Sequence, residues 1–267
     1  MTWTTRPRFK SGNGLSGYQI GAGPKLVLLH GVGLRAEAWN GISDYLRHDF
    51  SVHAIDLPGH GESESLRGTE ARLEDYSMAI ANYLDGFEQP VHLGGHSMGA
   101  MIALDIATRW PKKLKTVAAL NAIYGRSKAA SKAVKARAHA LKTIDQNDLN
   151  TDVTMTRWFG DNPMGETLKA ANACNRWLHQ TSISQYQKAY HVFANNDGLS
   201  PNQLLNLSVP ALFMTGSDEP NSTPQMSHDM AETAPSGTYK LIENAAHMMP
   251  MTHVQQVSLT LQQHFNR

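Results

Sequence analysis

The residue best suited to act as a nucleophile is a serine that lies between two glycines. Ser97 is the centre of Gly95-His96-Ser97-Met98-Gly99, which fits the pattern G-x-S-x-G. A serine hydroxyl attacks a carbonyl carbon only when a base, usually a histidine oriented by a carboxylate, removes its proton. The pattern predicts such a nucleophile if a strand precedes the serine and a helix follows it. The alternative is a glycine-rich turn without chemistry.

The first 124 residues supply the elements that this motif requires. Short apolar runs, which predict buried strands, alternate with amphipathic stretches, which predict helices, as expected of a parallel sheet built from strand-helix-strand units. The predicted strands are Lys25–His30, Ser51–Leu57, Val91–Ser97 and Lys115–Ala122. The predicted helices are Glu37–Arg47, Leu73–Phe87 and Met98–Trp110. Ser97 is therefore expected at a strand-to-helix turn.

The character of the sequence changes after Tyr124. Residues 125–203, here called the helical insertion, contain no strand pattern and suggest several helices. Strand patterns resume at Pro210–Thr215 and Thr238–Glu243, and a last helix is predicted over Val254–Phe265. We therefore expect an α/β core from residues 1–124 and 204–267, with the helical insertion forming a second unit on the same sheet.

Four motifs in this order resemble the α/β-hydrolase fold superfamily, in particular its capped serine hydrolases. They are His30-Gly31-Val32-Gly33, the stretch 56–63 (DLPGHGES), the pentapeptide around Ser97, and the loop that carries His247. A weaker resemblance points to the 3-oxoadipate enol-lactonase and esterase branch. The resemblance implies a mostly parallel sheet flanked by helices, with a helical cap inserted after strand 6.

The resemblance also implies roles for individual residues. Ser97 would be the nucleophile and His247 the base, and backbone N–H groups of Val32 and Met98 would form the oxyanion hole. The family places the acid three residues after the glycine that closes the preceding strand, which here is Glu219. Asp218, one residue earlier, is the alternative acid.

The helical insertion is expected to shape the substrate pocket. Four aromatic residues are expected either to touch an apolar part of the substrate or to belong to the apolar core: Trp39, Trp158, Phe159 and Trp177. Five basic residues recur at helical spacing, with no acid between Arg126 and Ile144: Lys128, Lys132, Lys135, His139 and Lys142. This stripe is either a solvated helix face or a positive rim that steers a carboxylate-bearing substrate.

These residues predict hydrolysis of a small carboxylic ester or lactone through an acyl-enzyme, without a metal or an organic cofactor. The alternatives are hydrolysis of a carbon–carbon bond in a ring-cleavage product, and a lactone-sensing protein with the same fold. His96 stands where carbon–carbon hydrolases typically carry Asn, which weighs against the first alternative.

Composition restricts the partners. The formal net charge of the 267 residues is +1, which gives no electrostatic reason to expect nucleic-acid binding. Cys174 is the only cysteine, so an intramolecular disulfide is impossible, and we interpret it as a buried packing residue. No apolar run reaches 18 residues, and the first residues lack the apolar core of a signal peptide. We expect a cytoplasmic monomer or homodimer that does not bind membranes.

Overall fold

A computed structural model describes residues 3–68 and 70–267. Within this part of the chain, eight strands form one sheet in the order β1-β2-β4-β3-β5-β6-β7-β8. The strands are β1 (Phe9–Lys10), β2 (Ser16–Ile20), β3 (Lys25–Leu29), β4 (Ser51–Ile55), β5 (Val91–His96), β6 (Leu114–Leu120), β7 (Ala211–Gly216) and β8 (Gly237–Ile242). The six predicted strands correspond to β3–β8, so the prediction of a mostly parallel sheet is confirmed.

Strands β3–β8 run parallel, and their register brings the ends of neighbouring strands together. Leu29 at the end of β3 pairs with Ile55 of β4 on one side and with Gly95 of β5 on the other. The loops that follow these strands therefore meet at one edge of the sheet. The sequence did not predict β1 and β2, which add antiparallel pairs at the opposite side from β8.

Helices cover both faces of the sheet. They are α1 (Asn40–Leu46), α2 (Leu73–Leu84), α3 (Met98–Arg109), α4 (Lys128–Leu141), α5 (Asp152–Phe159), α6 (Gly165–Gln180), α7 (Ile183–Ala194), α8 (Pro201–Leu205), α9 (Pro224–Thr233), α10 (Met249–Thr252) and α11 (Val254–Phe265). Along β3, Val27 and Leu29 pack with α2 and α3, whereas Leu26 and Leu28 pack with α1 and α11. Both faces of β3 are buried, which explains its uninterrupted apolar sequence.

The helical insertion contains α4–α7 and most of α8, which lie between β6 and β7 in the chain. Helix α4 packs on α7, and α5 packs on α6. The basic stripe of α4 is exposed along its length, as expected of a solvated helix face. None of the helices in the described residues is both long enough and apolar enough to span a membrane.

Candidate active site

The turn between β5 and α3 holds Ser97 in a backbone conformation that non-glycine residues rarely adopt. Its φ is 55° and its ψ is −118°. Close packing imposes this turn, because a Cβ atom on Gly95 would lie 2.1 Å from the carbonyl oxygen of Gly99. A Cβ atom on Gly99 would lie 2.3 Å from the oxygen of Leu29. The two glycines of the motif thus allow α3 to approach the strands while Ser97 occupies the sharp turn.

Ser97 lines a cavity of about 180 Å³ between the sheet edge and the helical insertion. Gly31, Val32, His96 and His247 contribute the wall on the side of the sheet, and α4, α5 and α7 contribute the opposite wall. A Cβ atom on Gly31 would lie 3.1 Å from the Cβ atom of Ser97. A glycine at this position therefore leaves open space next to the serine.

His247 lies in the loop after β8, beside the same cavity, and is bonded to a carboxylate. Its Nδ1 lies 2.5 Å from Oε2 of Glu219, which follows β7. The other oxygen of Glu219, Oε1, accepts hydrogen bonds from the backbone N–H groups of Asn221 (2.7 Å) and Ser222 (3.3 Å). Both carboxylate oxygens therefore have donors, as a buried carboxylate requires.

These contacts determine the protonation state of Glu219. Burial alone raises the pKa of its carboxyl group, but His247 and the two backbone donors outweigh burial and lower the pKa to about 2. Glu219 is therefore ionised at neutral pH although it is only 2% exposed. A fixed negative charge next to Nδ1 keeps the proton on that nitrogen and leaves Nε2 as a proton acceptor.

Asp218, the alternative acid, faces solvent. Its Oδ1 accepts a hydrogen bond from the neighbouring Ser217 hydroxyl at 2.9 Å, and its backbone N–H donates to the carbonyl of Ala245. No contact joins its carboxylate to His247 in the described residues. The geometry thus pairs His247 with Glu219 and leaves Asp218 on the outside of the loop.

His96, a motif residue, and Asn121, which the sequence did not identify, hold the backbone of the histidine loop. The carbonyl oxygen of His247 accepts a hydrogen bond from Nε2 of His96 (2.8 Å) and another from Nδ2 of Asn121 (2.7 Å). Burial, followed by the nearby His247 charge, lowers the pKa of His96 to about 3, so its ring is neutral. Asn121 follows β6 at a φ of 50°. Asparagine tolerates positive φ better than most residues, so its presence at the end of a predicted strand is the only signal in the sequence.

The predicted oxyanion donors are the backbone N–H groups of Val32, which lines the cavity with Ser97, and of Met98, which directly follows Ser97. Neither donates a hydrogen bond to another described residue. The neighbouring N–H of Gly33, in contrast, donates to Nε2 of His60 at 3.1 Å. Met98 is the first residue of α3, where the N–H groups have no partner within the helix and favour a negative charge.

Of the four aromatic residues predicted for the pocket, one lines the cavity. The Trp158 ring stacks on the His247 ring, with centroids 6.0 Å apart and planes at 25°. Trp39 is 1% exposed and packs below the sheet edge with Ile42. Trp177 belongs to an apolar cluster beside α10, against which both Trp158 and Phe159 pack. Trp39, Phe159 and Trp177 do not line this cavity.

Cys174 and Asp56 lie outside the cavity. Cys174 is fully buried against Met251, and burial raises the pKa of its thiol, which suits a packing residue. Asp56 accepts hydrogen bonds from the N–H groups of Ala36 and Glu62 and pairs with Arg8 at 2.7 Å. It therefore stabilises the loop after β4 and does not approach the histidine.

Three arginines of the helical insertion line the cavity, and sequence inspection missed all of them: Arg126, Arg137 and Arg157. The wall contains no aspartate or glutamate among the described residues. A pattern that could have indicated one of them is the spacing Ala130, Ala133, Val134 and Arg137, which places small residues and one cation on a single face of α4.

Comparison with known proteins agrees with this architecture. The sequence model of the α/β hydrolase family matches residues 26–258. The (E)-2-((N-methylformamido)methylene)succinate hydrolase of Acinetobacter baylyi is 37% identical over 246 residues, which cover 92% of this chain and 91% of that protein.

Two solved structures have the same fold at lower identity. The enol-lactonase from Burkholderia xenovorans LB400 superimposes with a TM-score of 0.83 at 20% identity, over 95% of this chain and 96% of that one. A thermophilic esterase from Thermogutta terrifontis, with malate bound, gives 0.81 at 22% identity, over 93% and 92% of the two chains.

Proposed function

The chain belongs to the α/β hydrolase family, and from this premise we propose that it is a serine hydrolase that cleaves an ester or lactone of a small molecule. The observation that carries the proposal is the hydrogen bond between His247 and Glu219 beside the cavity that Ser97 lines. An ionised carboxylate on Nδ1 gives Nε2 of the imidazole the free lone pair that a general base needs.

In the proposed reaction, Nε2 of His247 accepts the proton of the Ser97 hydroxyl while Oγ attacks the substrate carbonyl carbon. The carbonyl oxygen becomes an oxyanion, which the N–H groups of Val32 and Met98 stabilise. His247 then donates its proton to the leaving alkoxide, and an acyl-enzyme ester remains on Ser97. Water, deprotonated by His247, hydrolyses this ester and releases a carboxylic acid.

Ser97→Ala tests this assignment directly. We expect the variant to lose at least about 10³-fold in kcat on 4-nitrophenyl butyrate, because the nucleophile is removed. Mass spectrometry should find a fluorophosphonate attached to Ser97 in the wild-type protein and to no residue of the variant. Ser236→Ala removes an exposed hydroxyl before β8 and serves as the control. A Ser97→Ala variant with wild-type turnover contradicts the proposal.

Hydrolysis of an N-acyl bond is a second candidate, favoured by the relative from Acinetobacter baylyi with 37% identity. Its name describes a succinate that carries an N-methylformamido group. The same serine can attack a formamide carbonyl, and hydrolysis then releases formate and an N–H compound. Measuring formate released from that compound by wild-type protein and by Ser97→Ala tests this candidate.

The number of turnovers and the preferred substrate separate these hydrolases from the two remaining alternatives, a lactone sensor and a carbon–carbon hydrolase. A lactone sensor is expected to stop after one acylation per protein molecule, whereas a hydrolase continues through many cycles. A carbon–carbon hydrolase is expected to consume a dienone ring-cleavage product faster than 4-nitrophenyl esters. Multiple turnovers on the esters or on the formamide, without turnover of the dienone, support the proposed function.

A further inference from the structure

Two guanidinium groups face the proposed reaction cavity from different helices of the insertion. Arg137 lies on α4 and Arg157 lies on α5, and both line the cavity that contains Ser97. Both also line a second, neighbouring cavity of about 230 Å³ between α4, α5 and α7. The pair therefore stands where the two cavities adjoin.

Neither of these arginines has an acidic partner. Nε of Arg137 donates to the Tyr190 hydroxyl at 3.2 Å, and its two terminal nitrogens have no partner among the described residues. The guanidinium of Arg157 forms no hydrogen bond or ion pair within the same part of the chain. Four N–H donors of Arg137 and five of Arg157 are thus available to a molecule in the cavity.

The third arginine of the cavity wall, Arg126, already has protein partners and therefore contrasts with Arg137 and Arg157. Arg126 is paired with Asp197 at 2.9 Å, donates to the carbonyl oxygens of Phe193 and Asn196, and lies over the Phe193 ring. Its pKa is lowered first by burial, and the charge of Arg137 contributes to the lowering. Arg137 therefore adds positive charge near a cation instead of neutralising an acid.

This arrangement favours an anion in the cavity. Arg137 and Arg157 are half-buried, Arg137 lies near the charge of Arg126, and the described wall contains no acid that could pair with them. A planar carboxylate fits the guanidinium fork with two parallel hydrogen bonds, whereas a lysine would present only a point charge.

We propose that Arg137 and Arg157 bind a carboxylate group of the substrate, several bonds away from the carbonyl carbon that Ser97 attacks. The inference rests on the proposed function and adds the substrate class, which is an acyl compound with a free carboxylate. The exposed stripe of α4 lysines plays no part in this site, since none of them lines the cavity beside Ser97.

A matched pair of esters tests the proposal. 4-Nitrophenyl hydrogen glutarate carries the carboxylate, and 4-nitrophenyl methyl glutarate has the same chain without the charge. Both release nitrophenolate, and spontaneous hydrolysis is subtracted. We expect the wild-type protein to favour the anionic ester in kcat/KM. Arg137→Gln and Arg157→Gln should each reduce the ratio of the two kcat/KM values at least about tenfold, because a charge-assisted hydrogen bond is lost.

The ratio makes the test independent of folding, because misfolded protein lowers both rates equally. Lys135→Gln removes one charge from the exposed face of α4 and should leave the ratio within about twofold, since exposed charges are screened. A wild-type protein without preference for the anionic ester overturns the inference, as do arginine variants that keep the wild-type ratio. If the arginine variants keep the wild-type ratio while Ser97→Ala loses activity on both esters, the hydrolase proposal stands and the carboxylate site is wrong. The two proposals can therefore fail separately.

Discussion

The two oxygens of the Glu219 carboxylate serve different partners, and this division explains why a carboxylate is required. Oε1 accepts from the backbone N–H groups of Asn221 and Ser222, whereas Oε2 lies against Nδ1 of His247. An amide at this position would turn its oxygen toward the two N–H donors. Its NH₂ group would then face Nδ1, and the imidazole would have to carry its proton on Nε2.

We therefore expect Glu219→Gln to reduce kcat on 4-nitrophenyl butyrate by about 10²- to 10⁴-fold, because Nε2 can no longer accept the proton of Ser97. Asp218→Asn, its matched control on the same loop, should change kcat less than about threefold, since Asp218 is exposed. Steady-state kinetics of both variants check this prediction. A larger loss in Asp218→Asn would mean that the adjacent carboxylate is the acid.

The sequence places some residues of the candidate site and misses others for a physical reason. Ser97, Glu219 and His247 each follow a strand of one parallel sheet, so strand order alone brings them to the same edge. Their catalytic roles stay predictions. Arg137 and Arg157 lie on separate helices, and only the packing of the helical insertion brings them to one cavity. No local pattern carries that information.

At the level of elements, mostly apolar sequence made β3–β7 predictable, because strands buried on both faces lack polar alternation, whereas β8 is a partly exposed edge strand. The antiparallel strand β2 has no such run. Its Gly17 crosses β4 so closely that a Cβ atom would lie 2.2 Å from the oxygen of Ala54. Glycine and glutamine within SGYQI weaken a strand prediction. The strand β2 therefore depends on its pairing with β4, which is distant in sequence.

The contact of α3 with β3 provides a test in which two effects have opposite signs. Helix propensity predicts that Gly99→Ala stabilises α3 by about 1 kcal/mol. The added methyl group would, however, lie 2.3 Å from the oxygen of Leu29 and 2.6 Å from that of His30. Overpacking costs about 1–3 kcal/mol, and backbone atoms cannot rotate away. We therefore expect Gly99→Ala to lower the Tm by several degrees and to reduce activity.

Gly12→Ala is the appropriate comparison for this thermal-melting experiment. A Cβ atom on Gly12 would contact no heavy atom within 4 Å, and its backbone is not in the left-handed region. We expect its free energy of unfolding to stay within about 0.5 kcal/mol of the wild-type value. Equal or higher stability of Gly99→Ala would show that α3 does not pack against β3 as closely as described.

At the level of the whole molecule, histidines are used as neutral hydrogen-bonding groups in the interior. His60 accepts a hydrogen bond from the N–H of Gly33 and His30 accepts one from the N–H of Leu57, which ties the loop after β3 to the loop after β4. Burial is the main cause of the low pKa of His60, about 4. Burial also lowers the pKa of His53, His92 and His264 to about 4 and that of His96 to about 3.

The fold should therefore lose stability in mild acid. Between about pH 6.5 and 4 the unfolded chain binds protons at these histidines and the folded chain does not, so the free energy of unfolding falls as the pH falls. Each such histidine adds a slope of about 1.4 kcal/mol per pH unit.

Urea unfolding at pH 7, 6 and 5 measures this slope, and His60→Gln should reduce it by the contribution of about one proton. Equal unfolding free energies at pH 7 and pH 5 would contradict neutral burial of these histidines. The lowered pKa of Glu219, about 2, affects stability below about pH 4.5, which is outside the range of pH 7 to 5 over which the histidine slope is measured.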